Sequence, residues 1–262
     1  MARAVPRIGQ ITVVVPVRDE EELLGIALDH LRAAMDHVET GGRRRARLVV
    51  VLDACTDSSA RIAEAVAGVD PRVRVIHTAV RAVGAARDLG VRTALAALPT
   101  TSLPRHWIAN TDADTRVPAN WLQVFADAAD AGADALVGTV EPDAGDLGRQ
   151  RYLAWQSLYV RKDGHPHIHG ANLGVRASTY CEVGGFPPVP GDEDVRLVQA
   201  LRAHGADVRS SAQLHVVTSG RLHGRVGHGF ANFLAGLPVD DGVPEAMVPV
   251  STSFKDTNDH SP

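Results

Sequence analysis

Cysteine is scarce in this chain, whose 262 residues include only Cys55 and Cys181. Two thiols are far too few for the disulfide framework of a small secreted domain. A hydrophobic content of 45% allows a sizeable core to be buried, and the length is near the upper end for one domain. A reducing compartment fits this composition, so we expect a soluble, cytoplasmic protein.

Long hydrophobic runs are also missing from the N-terminal region. The apolar segment ITVVVPV, residues 11–17, meets a charge at Arg18. Such a run is too short for the hydrophobic part of a signal peptide with its cleavage site. It is also far shorter than the ~20 residues of a membrane span. The sequence therefore predicts no transmembrane segment.

Neither sign of charge dominates the composition. The formal net charge is -4 at pH 7, and the sequence pI is about 6.3. This balance gives no general attraction to nucleic acid or to an anionic membrane surface. We therefore predict a small-molecule partner and no nucleic-acid partner, and the sequence leaves a homodimer open.

What the chain does contain is an alternation of strand and helix patterns. Short segments rich in Val and Ile predict buried strands at 11–17, 47–53, 73–78, 106–112 and 133–140. Apolar residues at helical spacing predict helices within 20–38, 60–69, 84–98 and 118–131. Strands joined through helices predict an α/β fold with a mostly parallel, Rossmann-like central sheet and helices on both faces.

Polar side chains collect where the predicted strands end. Asp53, Asp112 and Asp114 follow strands, and residues 16–20 close the first one. An α/β sheet binds ligands beyond the carboxyl ends of its strands, so this edge is the predicted site. Each residue alone has a simpler interpretation, since Asp53 suits a turn and Asp57 suits a helix N-cap.

The usual phosphate-binding motifs are absent. No G-x-G-x-x-G follows the first strand, and no Walker A lysine occurs, which disfavours a classical dinucleotide site or a P-loop. The segment DADTR resembles the D-x-D-x-T motif of haloacid-dehalogenase phosphatases, but Thr115 is one position early and three predicted strands precede it. A carboxylate pair without a phosphate loop suits a divalent cation that holds a substrate diphosphate.

Six segments follow in order the sequence blocks of glycosyltransferase family 2. They are VVVPVRDEEELL, VVVLDACTDSSARIAE, VGAARDLGVR, NTDADTRVPANWL, HGANLGVRASTYCEVGGF and GDEDVRLVQALRAHG. Over about residues 10–225 the chain resembles the inverting enzymes of this family, which have the GT-A fold. We expect one GT-A catalytic domain over residues 1–240. Residues 241–262 lack periodicity and predict a flexible or partner-docking tail.

The resemblance implies a metal-dependent inverting hexosyltransferase. A sugar would move from a nucleotide-diphosphate sugar, such as a UDP- or GDP-sugar, to an acceptor hydroxyl. Mg²⁺ or Mn²⁺ would lie between the D-x-D carboxylates and the diphosphate. Carried over by position, the metal ligands are Asp112, Asp114 and His223, with His215 as the alternate to His223.

The same resemblance assigns residues to the two substrates. The predicted donor-binding residues are Pro16, Val17, Arg18, Asp19, Glu20, Asp53, Arg87, Asp112 and Ala113. The predicted acceptor-binding residues are His169, Gly170, Ala171 and Asn172. Two positions depart from the family pattern: Asp88 replaces the usual Asn after Arg87, and Leu52-Asp53 has one acid where many members have two.

A late acidic cluster supplies the predicted catalytic base. Inversion requires a carboxylate to take the acceptor proton, and Asp192, Glu193 and Asp194 lie close enough in sequence for one to raise another's pKa. Asp194 matches the acid of the family's E-D motif, and Glu193 is the neighbouring candidate. The three acids also suit a helix N-terminus, and both interpretations can hold together.

Three alternatives are weighed from sequence, one about a metal site and two about the function. His165, His167 and His169 have the spacing of metal ligands on a strand, but Pro166 and flanking glycines favour an acceptor-facing loop over a zinc site. A sugar nucleotidyltransferase would share the diphosphate chemistry but needs a basic glycine-rich loop where this chain has PVRDEE. A noncatalytic nucleotide-sugar-binding protein would not need the late acids.

Overall fold

The computed structural model describes residues 5–96, 98–189, 191–224 and 229–238. The predicted tail, residues 241–262, lies outside these described residues. Among the helices of the described ranges, none is long and apolar enough to cross a membrane.

Eight strands form one sheet in the described part of the chain. They are β1 (Gln10–Val17), β2 (Arg45–Asp53), β3 (Val73–Thr78), β4 (His106–Asn110), β5 (Thr115–Arg116), β6 (Ala135–Pro142), β7 (Leu173–Arg176) and β8 (Val208–Thr218). Their order across the sheet is β3-β2-β1-β4-β7-β6-β8-β5. The pairs β3–β2, β2–β1, β1–β4 and β6–β8 are parallel, while β7 and β5 pair antiparallel to their neighbours.

Helices cover both faces of this sheet. They are α1 (Leu24–Glu39), α2 (Ser59–Val69), α3 (Val83–Leu95), α4 (Trp121–Asp130), α5 (Ala144–Leu147), α6 (Arg149–Leu158), α7 (Ala177–Glu182), α8 (Glu193–Ala203) and α9 (Phe230–Ala235). Short 3₁₀ turns span Thr100–Arg105 and Gly170–Asn172.

The core is divided between the two faces because successive strand residues point in opposite directions. In β1, Val13 and Val15 pack with α1, α2 and α4 on one face. Val14, between them, packs with α3, α7 and α8 on the other face. The continuous apolar character of β1 and β2 follows from this double burial.

The α/β fold with a mostly parallel central sheet is confirmed, and the differences from the predicted elements concern the site. The strand predicted over 106–112 ends at Asn110, so Asp112 and Asp114 lie in the following turn. Helix α4 begins at Trp121 and not at Pro118. The predicted strands correspond to β1, β2, β3, β4 and β6 and leave out β5, β7 and β8. Strands β5 and β7 have two and four residues, which are too few to show a period.

Candidate active site

A cleft of about 850 Å³ opens at the carboxyl ends of β1, β2 and β4. Most of the residues predicted for the site line it. They are Pro16, Val17, Arg18, Glu20, Asp53, Arg87, Asp112, Ala113, Asp114, His169, Gly170, Ala171, Glu193 and Asp194. The remaining three, Asp19, Asn172 and His223, are not part of its lining. The structure thus brings together residues from six of the predicted sequence blocks.

The loop after β1 explains the position of Asp19. Its backbone has a φ of 51°, and its carboxylate accepts hydrogen bonds from the backbone N–H groups of Thr56 and Asp57, at 2.6 and 3.3 Å. Asp19 therefore ties the end of β1 to the loop before α2. Asp53 has a related role at the end of β2, since its Oδ1 accepts from the Arg81 backbone N–H at 2.8 Å.

The two D-x-D carboxylates have different surroundings. The side chain of Asp112 is 36% exposed, while that of Asp114 is 8% exposed. Asp114 Oδ1 accepts from the Thr218 hydroxyl at 3.1 Å, and Oδ2 lies 2.8 Å from Nη2 of Arg221. Burial raises the pKa of Asp114, and the guanidinium of Arg221 opposes that effect. Asp112 is the D-x-D acid that faces the open cleft.

Arg87 connects the D-x-D segment to the late acidic cluster. Its buried guanidinium contacts the carboxylates of both Asp112 and Glu193. Gly170 leaves room for it, because a Cβ at that position would lie 2.3 Å from Arg87 Nη1. Sequence reasoning assigned Arg87 to the donor, and the structure shows two acids of the protein as its partners. Asp88, which replaces the family's usual Asn, also has a partner, because its carboxylate accepts a hydrogen bond from the Tyr180 hydroxyl at 2.9 Å.

The late acids differ in their access to the cleft. Asp192 is exposed and precedes α8 with a φ of 55°. Glu193 is buried against Arg87. Asp194 is half-buried, and its Oδ2 accepts from the Gly170 backbone N–H at 2.6 Å. Burial raises the pKa of Asp194, with Arg87 acting in the opposite direction. Of the two catalytic candidates, Asp194 is the one that is not held in an ion pair by Arg87.

An aromatic wall forms the side of the cleft beyond Gly170. We define this wall as Tyr159, His167, His169, Phe230 and Phe233. The rings of Tyr159 and His167 stack at 4.0 Å between centroids, and His169 meets Phe230 edge to face at 5.5 Å. Burial lowers the pKa of His169 to about 3 and raises the pKa of Tyr159 to about 12. The wall is therefore uncharged at neutral pH.

Asn172 lies behind this wall and holds three elements together. Its Nδ2 donates to the backbone carbonyls of Thr139 and Leu214, both at 2.9 Å. Its Oδ1 accepts from the Trp121 indole N–H, also at 2.9 Å. The side chain is fully buried, and these three bonds commit it to the interior. The structure thus places Asn172 as a brace, away from the predicted acceptor surface.

The histidines predicted as metal ligands form no compact ligand group with the D-x-D pair among the described residues. His223 is exposed and does not line the cleft. His215 is held by Glu141 Oε2 and the Thr139 hydroxyl, at 3.0 and 3.2 Å from its ring nitrogens. His165, His167 and His169 stack side by side, with ring centroids 5.7 and 6.2 Å apart in succession.

One group of ligand-type side chains is compact in the part of the chain that the structure describes. Asp19, Cys55 and Asp57 each place one ligand atom within 4.8 Å of the others. However, Asp57 accepts from the backbone N–H groups of Glu21 and Ser59, at 2.9 Å each, and Asp19 accepts from those of Thr56 and Asp57. These carboxylates hold the loops after β1 and β2 together.

Sequence reasoning missed Arg221 and most of the aromatic wall. Arg221 follows β8, more than 100 residues after Asp114 and 201 residues after Glu20, which it also contacts. Nothing local in the sequence marks it as a partner of either acid. Tyr159, Phe230 and Phe233 likewise reach the cleft only through packing of α6 and α9. The one feature of the sequence that could have indicated these three residues is that they are aromatic, in a chain with only 4% aromatic residues.

The sequence and the fold were compared with those of known proteins. Residues 12–177 match the family model Glycosyl transferase family 2, and the chain belongs to that family. A search of curated proteins found no significant match.

Two solved structures share the GT-A fold. A mannosyltransferase, PcManGT from Pyrobaculum calidifontis in complex with GDP-Man and Mn²⁺, aligns with a TM-score of 0.61 and 21% identity over 84% of this chain. GalNAc-T7 with UDP, GalNAc and Mn²⁺ aligns with a TM-score of 0.60 and 14% identity over 85% of this chain. The alignments span 60% and 45% of those two proteins' own chains.

Proposed function

We propose that this chain is a metal-dependent, inverting glycosyltransferase that moves a sugar from a nucleotide-diphosphate sugar to an acceptor hydroxyl. The observation that carries the proposal is that one cleft contains two separate sets of acidic residues. Asp112 and Asp114 lie on the strand-end side, Asp194 lies beside Gly170, and Arg87 joins the two regions through Asp112 and Glu193. Such a cleft can hold the donor diphosphate near the D-x-D pair and the acceptor hydroxyl near Asp194.

The ligand atoms of the D-x-D segment suit a divalent cation. Carboxylate oxygens are the hard ligands that Mg²⁺ and Mn²⁺ prefer, and Asp112 presents its partly exposed carboxylate to the cleft. Asp112 and Asp114 would hold the ion, and His223 stays a proposed third ligand from the sequence. When bound, the cation would neutralise charge on the departing diphosphate. The two GT-A neighbours were solved with Mn²⁺.

The proposed chemistry at Asp194 is general base catalysis. Its carboxylate accepts the proton of the acceptor hydroxyl while the hydroxyl oxygen bonds to the anomeric carbon of the donor sugar. The bond between that carbon and the diphosphate oxygen breaks, and the nucleoside diphosphate leaves with the bonding electrons. Attack from the face opposite the leaving group inverts the anomeric configuration. The raised pKa of Asp194 brings its basicity closer to that of a useful neutral-pH base.

The acceptor is proposed to be uncharged where it meets the aromatic wall. Among the residues that the structure describes, four arginines line the cleft, and these are Arg18, Arg81, Arg87 and Arg221. The guanidinium of Arg87 is paired with Asp112 and that of Arg221 with Asp114, whereas Arg81 contacts Asp53 through its backbone N–H. The opposite wall offers neutral rings, which suit an apolar or sugar face and give no counter-charge to a phosphate group.

The direct test is transfer from a panel of UDP-, GDP- and ADP-sugars with Mn²⁺ or Mg²⁺ and a mixed set of hydroxyl acceptors. We expect product with the inverted anomeric configuration, detected by NMR, and loss of transfer in excess EDTA. Asp114→Asn should abolish transfer, while Asp207→Asn, an exposed acid elsewhere, should not. Full activity in EDTA would contradict the proposed metal dependence. A product with retained anomeric configuration would contradict the proposed role of Asp194 as the base of an inverting reaction. Binding of nucleotide-sugars without any transfer would favour a noncatalytic binding protein.

A further inference from the structure

Arg221 crosses the cleft and links two acids from distant parts of the chain. Its Nη1 lies 2.9 and 3.0 Å from the two carboxylate oxygens of Glu20, in the loop after β1. Its Nη2 lies 2.8 Å from Oδ2 of Asp114. The guanidinium therefore places a positive charge directly on the D-x-D segment.

This contact is more than a surface ion pair. The side chains of Glu20 and Asp114 are each only 8% exposed and that of Arg221 is 34% exposed, so solvent screens this contact less than it screens a fully exposed ion pair. The second oxygen of Asp114 already accepts a hydrogen bond from Thr218. Arg221 thus neutralises the acid that is also the proposed ligand of a divalent cation.

We propose that Arg221 competes with the divalent cation for Asp114 and is drawn onto the donor diphosphate when the nucleotide binds. The inference rests on the proposed function and adds to it a residue that controls the order of binding. Two cations at one carboxylate oxygen repel each other, so the guanidinium weakens metal binding to the free protein. A diphosphate offers the guanidinium an alternative partner of matched bidentate geometry. Metal and nucleotide then strengthen each other's binding.

The test measures Mn²⁺ binding to the full chain, without nucleotide, from the loss of the free-ion EPR signal. Arg221→Met should bind Mn²⁺ at least ~10-fold more tightly than the unchanged protein, since a competing charge is removed. Arg18→Met is the matched control, because it removes an arginine from the same cleft while Arg221 stays on Asp114. Thermal unfolding of each variant checks that the fold is kept, and Arg221→Gln provides a second, polar replacement.

A second arm adds UDP or GDP. Mn²⁺ affinity of the unchanged protein should rise with the nucleotide, and this rise should shrink in both Arg221 variants because the diphosphate has lost a ligand. Equal Mn²⁺ affinity in Arg221→Met and the unchanged protein would overturn the inference while leaving the metal proposal standing. An equal gain in Arg18→Met would also overturn it, since the effect would be general charge. If no form binds Mn²⁺ with or without nucleotide, both the inference and the proposed metal dependence fail.

Discussion

The Asp194 carboxylate accepts a hydrogen bond from the Gly170 backbone N–H, with 2.6 Å between Oδ2 and the nitrogen. This bond fixes the start of α8 against the segment that carries His169. The preceding acid, Glu193, is buried and paired with Arg87 instead. Two adjacent carboxylates therefore have different surroundings, and their substitution should have different consequences.

Asp194→Asn should lower turnover by ~100-fold or more, because the amide keeps the shape of the side chain but cannot accept the acceptor proton. Donor affinity, measured by calorimetry with the nucleotide and Mn²⁺, should be unchanged. Asp207→Asn serves as the control for a neutralised acid elsewhere on the surface. A variant with the unchanged protein's turnover would show that Asp194 is a helix-terminal acid without a catalytic role.

Glu193→Gln should act mainly on stability. Its carboxylate is one of two acidic partners of the buried Arg87 guanidinium, and Asp112 stays as the other, so the loss should be about 1.5–3 kcal/mol of unfolding free energy, the range of one hydrogen bond to a charged group. Denaturant unfolding measures this loss, and Asp207→Asn, from an exposed pair, should lose no more than about 1 kcal/mol. If Glu193→Gln keeps full stability but has no turnover, the base is Glu193 and not Asp194.

The raised pKa of Asp194 predicts opposite pH trends for activity and stability. A base must be ionised, so turnover should fall as the pH drops through the raised pKa of the folded protein. The protonated form favours folding, because the folded-state pKa lies above the unfolded value. That stabilisation is complete below the unfolded pKa and is lost as the pH rises through the folded one. The Tm of Asp194→Asn, taken relative to the unchanged protein, should therefore be more favourable at pH 7 than near pH 4. A relative Tm that rises on acidification would contradict the raised pKa.

Much of the fold was readable from sequence because its signals are local. Strands β1 and β2 are continuous apolar runs, and α1 has seven buried residues at helical spacing. The strand-end position of Asp53 and of the D-x-D pair followed from the alternation of elements. Short strands such as β7 gave no such signal, since four residues are too few to establish a pattern.

The roles of individual polar residues were harder to predict because their partners lie far away in sequence. Arg87 was expected at the donor, but its partner Glu193 is 106 residues later. Asn172 was expected at the acceptor, but its partner Trp121 is 51 residues earlier. Motif position identifies the neighbourhood of a side chain, whereas the direction in which it points depends on packing between elements.

Asn172→Ala should destabilise the protein and leave acceptor recognition largely intact in whatever fraction stays folded. The change leaves two buried carbonyls and the Trp121 indole N–H without their partner, and each such loss costs about 1–3 kcal/mol. We expect at least about 3 kcal/mol less unfolding free energy, measured with denaturant at a temperature where the protein is folded. Asn120→Ala, an exposed amide before α4 that is not part of the cleft lining, is the control for loss of an amide. Normal stability with a raised acceptor KM would return Asn172 to the acceptor surface.

The aromatic wall should contribute to acceptor binding and not to donor binding. Phe233 lines the cleft and is 46% exposed, so a bound acceptor can cover its ring without rearrangement of the core. Phe233→Ala should raise the KM of an uncharged acceptor about threefold to tenfold, the range expected for one lost aromatic contact. The donor KM should stay the same, because Asp112 and Asp114 are untouched. Leu153→Ala, a comparably exposed apolar residue outside the cleft lining, is the matched control. If Phe233→Ala weakens donor and acceptor equally, or if a phosphorylated acceptor outcompetes its uncharged counterpart, the wall is not the acceptor surface proposed for it.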